Sequence, residues 1–128
     1  MKVLALVYAT FAALGTLLGI RREQAAAFFG LRTGRSAAFD AAIGFGTGIS
    51  APWTLVVPLV FFAFRSEPQS RQLVRLLSLM ALLGQLGEPV TWRLTRCDPV
   101  VRALVAANVA VPIALYRSAR NDFGTLGR

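Results

Sequence analysis

Four apolar segments, each near the length that crosses a bilayer, take up most of this chain, and the one acidic side chain inside them is Glu88. At about 1.5 Å of rise per residue, a hydrocarbon core of about 30 Å needs roughly 20 apolar residues in a helix. The segments fall at about 3–20, 41–64, 72–93 and 99–116. Hydrocarbon offers no partner to an unpaired peptide group, so such segments must satisfy their own backbones as helices. The predicted fold class is all-α: a polytopic membrane protein whose residues 1–128 form a single four-helix transmembrane bundle, with a flexible tail at 121–128.

Composition excludes several functions. Hydrophobic residues are 55% of the chain, charged residues are 16% and mean hydropathy is +0.59, which leaves too little polar surface for a soluble domain. Lys and Arg number 14 against 6 Asp and Glu, a net charge of +8. In a soluble protein that balance would point to nucleic acid. Here the arginines cluster beside apolar runs, where they anchor helix ends to anionic headgroups, and no nucleic-acid partner is expected. The lone Cys97 closes no disulfide within the chain, and without histidine there is no Cys/His set for zinc. No metal and no cofactor is expected.

Segment one stops at Arg21-Arg22 and reads as a retained helix. Lys2 is its only early charge, and no small-x-small cleavage site precedes a polar sequence. Segment two opens after Asp40, a predicted N-cap, and carries Pro52 and Pro58, which should kink it. Segment three follows Ser66-Glu67-Pro68 and ends at Trp92-Arg93. Segment four opens with Asp98-Pro99, a cap followed by proline at the first helical position. Gly15 with Gly19, and Gly44 with Gly48, repeat the four-residue spacing that lets helices approach closely, within the bundle first and in a homodimer second.

Between segments one and two, the run Arg22-Glu23-Gln24-Ala25-Ala26-Ala27-Phe28-Phe29-Gly30-Leu31 has a charged head and an apolar body, which fits a short interfacial helix acting as a lid. Through this run alone the chain resembles the DoxX-like group of small four-helix bacterial membrane proteins. That resemblance implies the four-helix fold and assigns no functional residue.

Segment three carries the most chemistry. Ser78, Ala81, Gln85, Glu88 and Trp92 follow steps of three and four, which places them on one helical face. An antiparallel hairpin turning near Thr95 to Cys97 sets Glu88 level with Arg102 to Val105, and Gln85 level with Asn108. Arg102 is then either an ion-pair partner of Glu88 or the i+4 partner of Asp98. Trp53 lies far from the interface where tryptophans concentrate, so its N–H should meet an interior polar group. Asp40, Glu88, Trp92 and Arg102 are expected around one vestibule.

An ionisable residue inside a membrane is a functional-site candidate by default. Glu88 and Asp40 are the candidate acid and base, and Gln85, Trp92, Asn108, Trp53 and Arg102 are the candidate substrate-binding residues. The leading expectation is an integral protein of a bacterial inner membrane, surrounded by membrane lipids, that binds a lipophilic small molecule. Glu88 would exchange the proton in isomerase, cyclase or epoxide-opening chemistry. One alternative is a dual-topology dimeric transporter coupled to protons through Glu88; Lys and Arg divide seven against seven between the two sides, so the positive-inside rule gives no vote. The other is a non-catalytic subunit of a membrane complex.

Overall fold

A computed structural model of the chain describes residues 1–25, 27–28, 31–32, 36–44 and 46–121. Helix α1 (Lys2–Arg21) is followed by strands β1 (Ala27–Phe28) and β2 (Leu31–Arg32), then α2 (Ala37–Ala42), α3 (Trp53–Ala63), α4 (Pro68–Gly87), α5 (Pro89–Trp92), a single 3₁₀ turn (Leu94–Arg96) and α6 (Pro99–Asn121). Apart from the two-residue strands, the described regular structure is helical. Lys2–Arg21 and Pro99–Arg120 are long and apolar enough to cross a membrane, and α3 is a shorter apolar helix.

The small-residue face of α1 decides how the helices meet. Ala5, Tyr8, Ala12, Gly15, Thr16 and Gly19 are buried at steps of three and four, while Val3, Leu6, Leu14 and Leu17 stay exposed. Helix α1 packs against α3 and α6, and α4 closes the ring by packing against the same two. Neighbours run antiparallel. Lys2 lies over the Phe64 ring just after α3, and Arg22 after α1 pairs with Asp98 before α6. Asp98 also caps α6, its Oδ1 accepting the N–H groups of Val100 and Val101 at 3.0 and 3.1 Å.

Along α4 the polarity is inverted relative to a helix of a soluble bundle. Ser70, Ser78 and Gln85 of α4 point inward, whereas Leu76, Leu79, Met80 and Leu83 of the same helix are exposed. Thr16, Thr47, Ser50 and Asn108 are buried with them.

Segment two is not one helix. After α2 the chain leaves helical geometry and returns to it only at Trp53, with Gly44 at φ +89° and Gly46 at φ +78°. These left-handed angles suit glycine, and a Cβ at Gly46 would also lie 2.7 Å from the Ala51 carbonyl oxygen. Pro52, lacking an N–H, then starts α3 as its N-cap. The expected cap at Asp40 is also corrected: Ser36 caps α2 by accepting the Phe39 N–H at 3.2 Å, and Asp40 sits inside the helix, fully buried.

Two further expectations differ from the structure. The interfacial helix over 22–31 is replaced by an antiparallel pair, Ala27 opposite Arg32 and Phe28 opposite Leu31. Segment three ends as a helix at Gly87, not at Trp92-Arg93. Glu88 precedes Pro89, whose ring disfavours the helical conformation in the residue before it, and Glu88 is extended at φ −79°, ψ 129°. The tail at 122–128 lies outside the described residues.

Candidate functional site

The buried non-helical stretch after α2 organises the interior. Residues 46–51 are all buried between α1 and α6, so their peptide groups need protein partners. The Gly48 N–H donates to the Gln24 carbonyl at 3.1 Å, and the Ser50 N–H to the Thr47 carbonyl at 3.0 Å. The Ile49 carbonyl accepts from Asn108 Nδ2 at 2.9 Å. Thr47 Oγ1 donates to the Gly15 carbonyl at 3.3 Å, and a Cβ on Gly19 would overlap the Thr47 side chain. The glycines of α1 are the seat of this stretch. Thr16 Oγ1 lies 2.9 Å from Ser50 Oγ and accepts the Trp53 indole N–H at 3.1 Å, so Trp53 is tied inward as its position implied.

Glu88 lies where α4 gives way to α5, 7% exposed. Both of its carboxylate oxygens accept the Ala27 N–H, at 3.0 and 3.2 Å, which docks the β pair over the end of the bundle. Opposite the acid is Gly48: a Cβ there would stand 3.6 Å from Glu88 Oε2 and 3.2 Å from the Ala25 carbonyl. The missing side chain leaves room in front of the carboxylate.

That room belongs to a cleft of about 390 Å³ lined by Gln24, Gly48, Glu88, Val90, Arg93 and Arg96, among others. The Gln24 side-chain oxygen is buried and has no hydrogen-bond partner among the described residues. The cleft thus combines an acceptor carboxylate, an acceptor amide, an apolar wall and two exposed guanidinium groups. It suits a small amphipathic molecule that presents a hydrogen-bond donor to its floor.

Glu88 and Asp40 are both buried, but Asp40 does not line the cleft, and other expected members stand apart from it. Trp92 is 73% exposed, its indole N–H donating to the Leu86 carbonyl at 2.7 Å. The extended Glu88-Pro89 junction resets the helical register and turns Trp92 outward. Arg102 is exposed and donates to the Cys97 carbonyl at 3.2 Å, while Arg22 takes Asp98. Neither role expected for Arg102 is therefore filled. Gln85 is buried but engaged with Thr91, its Nε2 donating to Thr91 Oγ1 at 3.0 Å. Asn108 serves Ile49, the neighbour of Gly48, and does not line the cleft.

Sequence reasoning missed Gln24, Gly48, Arg93 and Arg96. The signal available was the glycine- and proline-interrupted run Gly44 to Pro52, the mark of a broken helix around a site. No family model, curated protein or solved structure matches this chain.

Proposed function

We propose that this chain is a four-span integral membrane protein that binds a small amphipathic molecule in the Glu88 cleft and performs acid/base chemistry on it. Support for four spans comes from the inverted polarity: exposed leucines on α1 and α4, with hydroxyls, amides and carboxylates held inside. Together α2, the non-helical stretch and α3 would make the second crossing, since irregular backbone at membrane depth is tolerated where protein buries it.

The observation that carries the chemical reading is the Glu88 carboxylate, held by a backbone N–H and facing the side-chain-free surface of Gly48. A positioned carboxylate with open space before it can take a proton from a bound molecule or return one. Asp40, buried like Glu88, is the second candidate acid or base. Isomerase, cyclase and epoxide-opening reactions all need such a group. A proton-coupled transporter is the second reading, favoured by the discontinuous α2–α3 crossing.

The test is isotopic. Wild-type and Glu88→Gln protein, both extracted in detergent after incubation in D₂O, are profiled by mass spectrometry for retained small molecules. The expected result is an amphipathic compound on the wild type carrying solvent deuterium at carbon, and an unlabelled compound on the variant. Equal labelling on both, or nothing retained by either, would overturn the proposal.

A further inference from the structure

At the end of the bundle away from the cleft, α4 and α6 present a second chemical pattern. Arg75 lies over the ring of Tyr116, its guanidinium carbon 5.3 Å from the centroid, and the exposed Arg120 follows Tyr116 by one turn of α6. Arg75 also continues a stripe: Leu79 and Leu83 follow at four-residue steps, with Leu76 and Met80 beside them, all exposed. Cationic groups at the helix ends thus give way, along one outward face, to an uninterrupted apolar surface. Of the acids among the described residues, Glu67 at this end stands against Arg65, and Glu23, Asp40, Glu88 and Asp98 lie around the far end; Asp122, two residues after Arg120, lies outside the described residues.

We infer that this face of α4 and α6 binds an anionic phospholipid. Its phosphate would be held by Arg75, Arg120 and the Tyr116 hydroxyl, and an acyl chain would lie along Leu79 and Leu83. The inference rests on the reading of the chain as membrane-spanning. Charge complementarity identifies the occupant, because guanidinium groups bind phosphate through paired N–H donors. Stacking on Tyr116 holds Arg75 in place before the lipid arrives, which lowers the ordering cost of binding. The leucine stripe identifies the source of the phosphate as a lipid, since a soluble anion has no use for it.

The full chain is reconstituted in phosphatidylcholine nanodiscs containing phosphatidylglycerol, and retained lipid is counted by native mass spectrometry. Wild type is expected to enrich phosphatidylglycerol. Arg75→Gln with Arg120→Gln should reduce that enrichment roughly tenfold to thirtyfold, as two juxtamembrane cations would. Arg21→Gln with Arg102→Gln removes the same charge at the other end, outside the cleft, and should leave it unchanged. Arg75→Lys with Arg120→Lys, which keeps charge and guards against a folding defect, should retain part of it. Equal losses from the two Gln pairs would reduce the effect to net charge and overturn the inference, as would displacement by millimolar inorganic phosphate. Release of the chain from vesicles by alkaline carbonate would instead count against the membrane reading itself.

Discussion

Glu88 and Ala27 stand 61 residues apart in the chain, and the carboxylate of one receives the backbone N–H of the other. A side chain capping a distant peptide group couples two functions in one residue: the acid is oriented, and the segment above it is held down.

Substitution at Glu88 should separate these roles. Glu88→Ala removes the acceptor and should cost about 1–3 kcal/mol where the Ala27 N–H loses its partner. Glu88→Gln keeps an acceptor oxygen and should protect that amide nearly as well as the wild type. Hydrogen exchange at Ala27 reads the difference. Equally fast exchange in both variants would mean that the β pair docks by other contacts.

Glycines near the site should respond in different ways. Gly48→Ala places a methyl 3.2 Å from the Ala25 carbonyl, a contact that a small shift relieves, so the protein should fold while losing the space before Glu88. Gly19→Ala overlaps Thr47 and should destabilise the bundle by about 1–3 kcal/mol, the usual cost of overpacking. Thermal unfolding in detergent, paired with ligand retention, distinguishes the two. A Gly48→Ala protein that retains its ligand would place the binding site elsewhere.

Asn108→Leu keeps similar bulk and removes the donor to the Ile49 carbonyl. The expected loss is about 1–3 kcal/mol, because a buried carbonyl is left unsatisfied. Unfolding at the wild-type midpoint would show that the stretch from Gly46 to Ala51 finds another partner.

The number of crossings can be read from Ser66, in the turn between α3 and α4. With Cys97 replaced by Ser, a cysteine at Ser66 should react with an impermeant thiol reagent from the same side as the N-terminus if all four segments cross. Labelling from the opposite side would leave only α1 and α6 spanning.

How far the sequence disclosed the structure depends on whether a residue's local signal survives its tertiary setting. Helices α1 and α6 are legible because each is a single apolar run with flanking arginines, and Asp98-Pro99 marks the start of α6 by its chemistry alone. Apolar residues at 41–64 read as one helix because hydropathy measures burial and is blind to backbone conformation. Gly44, Gly46 and Pro52 hold the contrary information, through the angles they permit. Extending a helical face through Glu88 carries Trp92 into the site, and the hairpin depth reckoned from that unbroken helix brings in Arg102. Pro89 breaks that face, and the register beyond it carries no inward direction. Glu88 itself is visible because a lone carboxylate among apolar residues is costly to keep and so stands out by its type alone. Its partner Ala27 is invisible, since a backbone N–H leaves no trace in residue identity.

The break before Trp53 also bears on how the chain is made. At about 1.5 Å per residue, the 11 residues of α3 reach roughly half of a 30 Å core, too short for a translocon to release as an independent span. The preceding stretch is buried by Gly15 and Thr16 on one side and Asn108 on the other. Asn108 belongs to α6, which is made after α3 and α4. If segment two crosses a membrane, that crossing is therefore completed only once α6 has been made, and premature termination before α6 should yield a product that quality-control proteases remove.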